Sequence, residues 1–229
     1  MKVIVTAGPS YEPIDDVRRL TNFSTGELGV RLANQLAKSG CEVFCLRGVS
    51  ATHPGALENC HHQPFTTNAD LLEQLTNLSG AHDISAVFHA AALCDFKVGR
   101  VENAQGQRFD SPKIDSRAGA LTLYLEPAAK VIGELRRLFP SAVIVGWKYE
   151  LSGTRQEALA RAWRQIESNH SDGCVLNGRA WGSGFVLCTP PDHLRELRDK
   201  AELVRYLPGW LEDRLRTRGE KPAGGKAAG

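Results

Sequence analysis

The chain has 229 residues, of which 42% are hydrophobic and 24% charged, and carries a formal net charge of +2. That length buries a core without disulfides or metal, and the near-balanced charge excludes the strong electrostatic drive of a nucleic-acid or anionic-membrane binder. No apolar run of about 20 residues and no leader-like segment is read, so the expectation is a cytoplasmic protein with small-molecule partners.

Residues 2–8 (KVIVTAG) read as a buried strand ending in glycine. The turn that follows is long and polar, with Pro9, Pro13, Asp15 and Asp16. Only after Asn22 does STGELG lead into an amphipathic helix over 27–40, stopped by Gly40. Further strands are expected at 42–48, 84–93, 119–127, 142–151, 172–177 and 184–190. Helices are expected at 68–78, 129–139, 154–169 and 191–218, the last broken near Pro208–Gly209. This alternation predicts an α/β fold: a Rossmann-like, mostly parallel sheet with helices on both faces. Residues 97–119 are polar and interrupt the pattern, which predicts a flap or hairpin excursion over the ligand site. The expected organisation is one nucleotide-binding domain over 1–215, with 97–125 as flap and possible dimer interface. Residues 216–229 are expected to be a disordered tail.

The six cysteines form no C-x-x-C and mostly lie in apolar runs, which predicts buried, reduced thiols. The pairs His61–His62 and His89–Cys94 are poor candidates for a metal site and a catalytic thiol. No G-x-G-x-x-G, G-x-x-x-x-G-K-[ST] or G-x-S-x-G occurs, and no tyrosine is followed four residues later by lysine. An oxidoreductase reading is correspondingly weak. In open parallel sheets ligands bind beyond the carboxyl ends of the strands. Four strand ends carry small, polar or aromatic residues: TAGPS, HAAALCDF, GWKYEL and VLNGRAWGSGF. A phosphate there would rest on backbone N–H groups at Gly8 and at the helix start, Ser24, Thr25 and Gly26.

TAGPSYEPIDDVRRLTNFSTGELG, HAAALCDF, SPKI, AKVIGEL, VGWKYEL and DGCVLN, in that order, resemble the motifs of the phosphopantothenoylcysteine synthetase family over roughly residues 3–190. The resemblance implies a Rossmann-like, usually dimeric ligase of coenzyme A biosynthesis. Such an enzyme activates the carboxylate of 4′-phosphopantothenate with CTP or ATP and Mg²⁺, and the amine of cysteine then attacks the acyl-nucleotide. By the same resemblance Asn22 holds the intermediate and Lys113, on a flexible loop, meets the α-phosphate. Asp95, Ala91, Ala92, Lys130, Trp147, Lys148 and Asn177 line the nucleotide. The residues alone leave alternatives open: Asn22 as a helix N-cap, Lys113 as a solvated loop lysine, Trp147 as a core aromatic, Lys130 and Lys148 as surface lysines. Three departures stand out. Lys113-Ile114 runs into Asp115-Ser116 instead of further basic residues, Arg161 and Arg164 stand where lysines are usual, and Leu176 replaces an alanine. A standalone synthetase is expected. The alternative is a nucleotide-binding relative that acts on another carboxylate or is not catalytic.

Overall fold

A computed structural model describes residues 1–219. β1 (Lys2–Ala7) is apolar on both faces because it lies inside the sheet, where Val3, Ile4 and Val5 have no exposed surface. A short hairpin, β2 (Tyr11–Pro13) and β3 (Arg19–Thr21), fills the long polar turn before α1 (Glu27–Lys38). There follow β4 (Glu42–Gly48), β5 (Cys60–Phe65), α2 (Asn68–Ala81) and β6 (Ala86–His89). The excursion is a hairpin, β7 (Phe96–Asn103) against β8 (Leu121–Pro127), forming its own two-stranded antiparallel sheet. The chain then returns through α3 (Val131–Leu138), β9 (Val143–Tyr149), α4 (Arg155–Asn169), β10 (Gly173–Asn177), β11 (Phe185–Thr189), β12 (His193–Leu197) and α5 (Lys200–Gly219).

The main sheet has eight strands in the order β12-β11-β10-β9-β6-β1-β4-β5. From β5 to β10 neighbours are parallel; β11 and β12 add antiparallel. The order runs outward from β1 in both directions, so the topological switch point lies between β1 and β6. α1 and α5 cover one face, with Leu32, Leu36, Leu203 and Leu207 packed on Val3, Val5 and Val145. α2 and α3 cover the other, with Leu71, Leu75, Val131 and Leu135 on Ile4 and Ile144, and α4 extends that layer over Cys174 and Leu176. The expected fold class is therefore observed.

The elements differ from expectation in three places. β5 carries histidines and Pro64, a poor strand pattern, but it is the sheet edge, where exposed side chains and a missing N–H are tolerated. Residues 193–197 form a strand instead of the expected start of a helix, because the free edge of β11 offers backbone partners from Thr189↔His193 to Phe185↔Leu197. α5 runs through Pro208 without the expected break, held on the core by Leu203, Val204, Leu207 and Leu211 on either side of it. It continues to Gly219, past the boundary expected for the tail; residues 220–229 lie outside the described residues. Among the described residues no helix is long and apolar enough to cross a membrane.

Candidate functional site

The turn after β1 is built from glycine because backbones meet there. Gly8 has φ +78°, and a Cβ on it would lie 2.7 Å from the Ala51 Cβ. Gly26, also at φ +78°, is the N-cap of α1, and its Cβ would lie 3.3 Å from the Gly8 Cα. The helix N-terminus thus comes down on the end of β1 with only main chain between them. Gly26 gives α1 no side-chain cap, and among the described residues the Glu27 N–H is met only by the Thr25 Oγ1 at 3.3 Å. Glu27 itself is held by Lys200 at 2.5 Å and Arg31 at 3.2 Å, which neutralises its charge beside the turn.

Asn22 does not cap the helix. Its Nδ2 donates to the Ala92 carbonyl at 3.1 Å and the Leu93 carbonyl at 2.9 Å. Both amide protons are engaged, so the side chain ties the first turn to the segment after β6 and offers only Oδ1 to a ligand. The same two segments are joined through backbone: Ala92 N–H donates to Gly8 O at 2.9 Å, and Cys94 N–H donates to the Ser10 Oγ at 2.8 Å. Burial pushes the Cys94 thiol above its ordinary value, and no imidazole reaches it among the described residues.

Beyond the ends of β6 and β9 lies a cavity of about 200 Å³ bordered by Ala91, Asp95, Lys130, Trp147 and Lys148, five of the residues expected to line a nucleotide. It lies on the α2–α3–α4 face. Gly146 makes room for it, since a Cβ there would sit 2.7 Å from the Ile132 Cδ1. Lys130 forms an ion pair with Asp95, and Lys148 lies 3.5 Å from Glu150. These lysines are balanced by carboxylates. Strand alternation sets the Trp147 ring with Val143, Val145 and Val175 against the α1–α5 core, on the face opposite the cavity, so the expected base-stacking position is not observed; the Trp147 carbonyl accepts from Gln165 Nε2 at 3.3 Å beside the cavity. Ala92 lies beside Pro9 in a parallel bridge, outside the cavity wall. Asn177 is not brought to the cavity; its carbonyl accepts from the Glu150 N–H at 2.9 Å.

Among the cavity residues not singled out as binding residues from sequence, three carry side-chain nitrogen or oxygen: Asn68, His89 and Gln165. Asn68 opens α2, a position that reads as ordinary helix entry. His89 ends β6 and is buried, paired through Nδ1 to the Thr6 hydroxyl at 2.9 Å. Burial pushes its pKa down to about 4. Next to Asn68, Glu12 is pushed above the usual carboxylate range by burial, with the Asn68 N–H and Lys97 acting against it.

Lys113 is exposed and its loop docks on the β2–β3 turn. Asp16 N–H donates to Pro112 O at 2.8 Å, Ile114 N–H to Asp15 Oδ2 at 3.2 Å, and Arg18 Nη1 to Ile114 O at 3.2 Å. The Ile114 side chain is buried, and Arg18 also pairs with Asp15 at 2.5 Å. Desolvation pulls the Asp15 carboxyl up, but hydrogen bonds from Val17, Ile114 and Arg18 outweigh it and hold its pKa below the usual value. A larger surface hollow of about 460 Å³ beside Gln63, Gln74 and His82 lies at the β5 edge, away from the switch point.

Known proteins share this fold. Residues 1–189 match the DNA/pantothenate metabolism flavoprotein C-terminal domain. The coenzyme A biosynthesis bifunctional protein CoaBC of Thermococcus kodakarensis is 34% identical over 219 residues, covering 93% of this chain and 51% of that protein. The chain spans about half the length, or less, of the curated relatives it matches. The crystal structure of the DNA/pantothenate metabolism flavoprotein from Streptococcus pneumoniae superposes with a TM-score of 0.80 at 22% identity, covering 95% of this chain and 99% of that one. A Cab2 mutant in complex with phosphopantothenate-cysteine superposes at 0.73 with 18% identity, covering 94% and 86%. With a family match over most of its length and the fold of these neighbours, the chain belongs to the DNA/pantothenate metabolism flavoprotein C-terminal domain family.

Proposed function

We propose that the chain joins 4′-phosphopantothenate to cysteine at the C-terminal edge of its sheet, using CTP or ATP. The observation that carries this reading is the Asn22 amide bonded to the Ala92 and Leu93 carbonyls, which unites the two motif segments into one cleft. The relatives' names, which tie them to coenzyme A biosynthesis, and the phosphopantothenate-cysteine bound to a structural neighbour support it.

In the first step the substrate carboxylate attacks the α-phosphorus and pyrophosphate leaves, giving an acyl-nucleotide. In the second, the cysteine amine attacks the acyl carbon, the nucleoside monophosphate leaves, and the amine proton passes to solvent. Backbone N–H groups at Gly8, Thr25 and Gly26 receive a phosphate, whereas the Ser24 N–H is already given to the Asn22 carbonyl at 3.0 Å. Lys113 stabilises charge developing on the α-phosphate, and Asn22 Oδ1 accepts a hydrogen bond from the intermediate or the incoming amine. Lys130 and Lys148 take phosphate oxygens, Asp95 takes a sugar or base donor, and Ala91 and Ala92 leave room beside the strand end. Trp147 packs behind the sheet and borders the pocket through its main chain, and Asn177 remains a polar group on the rim. Mg²⁺ travels with the triphosphate, whose oxygens hold it. A homodimer in the cytoplasm is part of the same proposal, with the β7–β8 hairpin as its interface.

Pyrophosphate release with 4′-phosphopantothenate, Mg²⁺ and CTP or ATP, with and without cysteine, tests the reading. Wild type turns over, and Lys113→Ala lowers kcat by about 100-fold with a smaller change in KM, as for a charge met mainly in the transition state. Folded wild type that releases no pyrophosphate refutes the reading.

A further inference from the structure

His89 and Asn68 have no part in the chemistry above, yet both line the cavity that would hold the nucleotide, and both are more than nine-tenths buried. Their polar atoms are oriented by fixed partners. The Thr6 hydroxyl accepts the Ala91 N–H at 3.1 Å and lies 2.9 Å from His89 Nδ1. Thr6 has no exposed surface, and its proton has no other acceptor among the described residues. It therefore goes to Nδ1, which leaves the imidazole proton on Nε2. Burial, which holds this histidine neutral at physiological pH, agrees with that tautomer. His89 thus presents one N–H donor from the far edge of its ring.

Asn68 is its counterpart. Its Nδ2 donates to the Cys94 carbonyl at 2.8 Å and the Ala129 carbonyl at 3.1 Å, so the amide cannot turn over without losing both. Its Oδ1 is buried and has no partner among the described residues. Leaving a buried acceptor unpaired is unfavourable, and a ligand donor would remove that cost.

We propose that His89 and Asn68 are specificity-determining residues that read the nucleotide's base, His89 Nε2 donating to a ring nitrogen and Asn68 Oδ1 accepting from the neighbouring exocyclic amine. Adenine and cytosine both present that adjacent acceptor and donor. In the same pose guanine and uracil present the reverse, a ring N–H facing the histidine N–H and a carbonyl oxygen facing the asparagine oxygen. The site therefore selects amino-substituted over oxo-substituted bases. This rests on the nucleotide-binding part of the proposed function.

The experiment is equilibrium binding of ATP, CTP, GTP and UTP to the full chain, followed by calorimetry, with melting temperature recorded for each variant. Wild type binds ATP and CTP at least about tenfold more tightly than GTP and UTP. His89→Phe, which keeps the ring volume and loses the donor, loses about tenfold for ATP and CTP while GTP and UTP change little. His89→Gln, which can offer an amide N–H, recovers part of the preference. Asn68→Ala provides an independent arm if a His89 variant fails to fold. Equal affinity for all four nucleotides in wild type, or a uniform loss across all four in folded His89→Phe and Asn68→Ala, overturns the inference and leaves the ligase reading standing. No binding of any nucleotide overturns both.

Discussion

Gly8 is held by its conformation and its surroundings together: a left-handed φ of +78° and no room for a Cβ against Ala51. Gly8→Ala is expected to destabilise the fold by about 1–3 kcal/mol, read by urea unfolding, because strain and overpacking act at once. An unchanged midpoint would show that the turn relaxes freely. His89 makes a different prediction. Its folded-state pKa of about 4 lies below the ordinary 6.5. The unfolded chain therefore takes up a proton that the folded chain refuses, and stability present above pH 6.5 is lost as pH falls toward 4. The full effect is on the order of 3 kcal/mol. Unfolding measured across that range should show a shallower acid-side decline in His89→Phe than in wild type; parallel curves would contradict it. The two sites differ in legibility. Gly8 was readable because glycine after a buried strand marks a tight turn. His89 was not, because its role depends on Thr6, distant in the chain and brought alongside by strand pairing.

The element that carries Lys113 owes its position to another element. Its loop is pinned by Asp15, Asp16 and Arg18 of the β2–β3 turn and by the buried Ile114. In Asp15→Asn the Ile114 amide should exchange its hydrogen at least about tenfold faster. kcat should fall more than KM for the nucleotide, because the lysine is met in the transition state. Asp15→Ala should be more severe, and protection unchanged in both would remove Asp15 from the positioning of the loop. Since the Asp15 pKa is held below its ordinary value, the contact is retained above that value and lost as pH falls through the lowered one. The sequence shows IDD and SPKI as separate polar stretches. Nothing in their spacing says that they meet. The same limit explains β12, where HLREL has acceptable helical spacing and only the open edge of β11 makes it a strand.

At the scale of the molecule, the reversal of strand order between β1 and β6 sets the turns that follow them side by side, joined by the Asn22 and Ala92 hydrogen bonds. The β7–β8 hairpin stands apart from the main sheet and exposes Phe96, Leu121, Tyr124 and Leu125. A small sheet with apolar residues this exposed is a surface suited to a second copy of the chain. Light scattering after size exclusion should give a dimer for wild type and a monomer for Leu125→Glu, with folding unchanged because Leu125 is 45% exposed. A wild-type monomer at high concentration would remove the hairpin as an interface.

The sequence by itself determined the parallel α/β class, the hairpin excursion, the glycine turn and the family, since these rest on short-range signals: hydrophobic periodicity, turn residues and contiguous motifs. Tertiary structure alone decided that Asn22 spends its donors on Ala92 and Leu93, that the Trp147 ring faces the α1–α5 core, that the Lys113 loop rests on Asp15 and Arg18, and that His89 and Asn68 share a cavity. Each of these is a contact between segments far apart in the chain, and local pattern carries no information about which distant backbone group or strand face a side chain will meet.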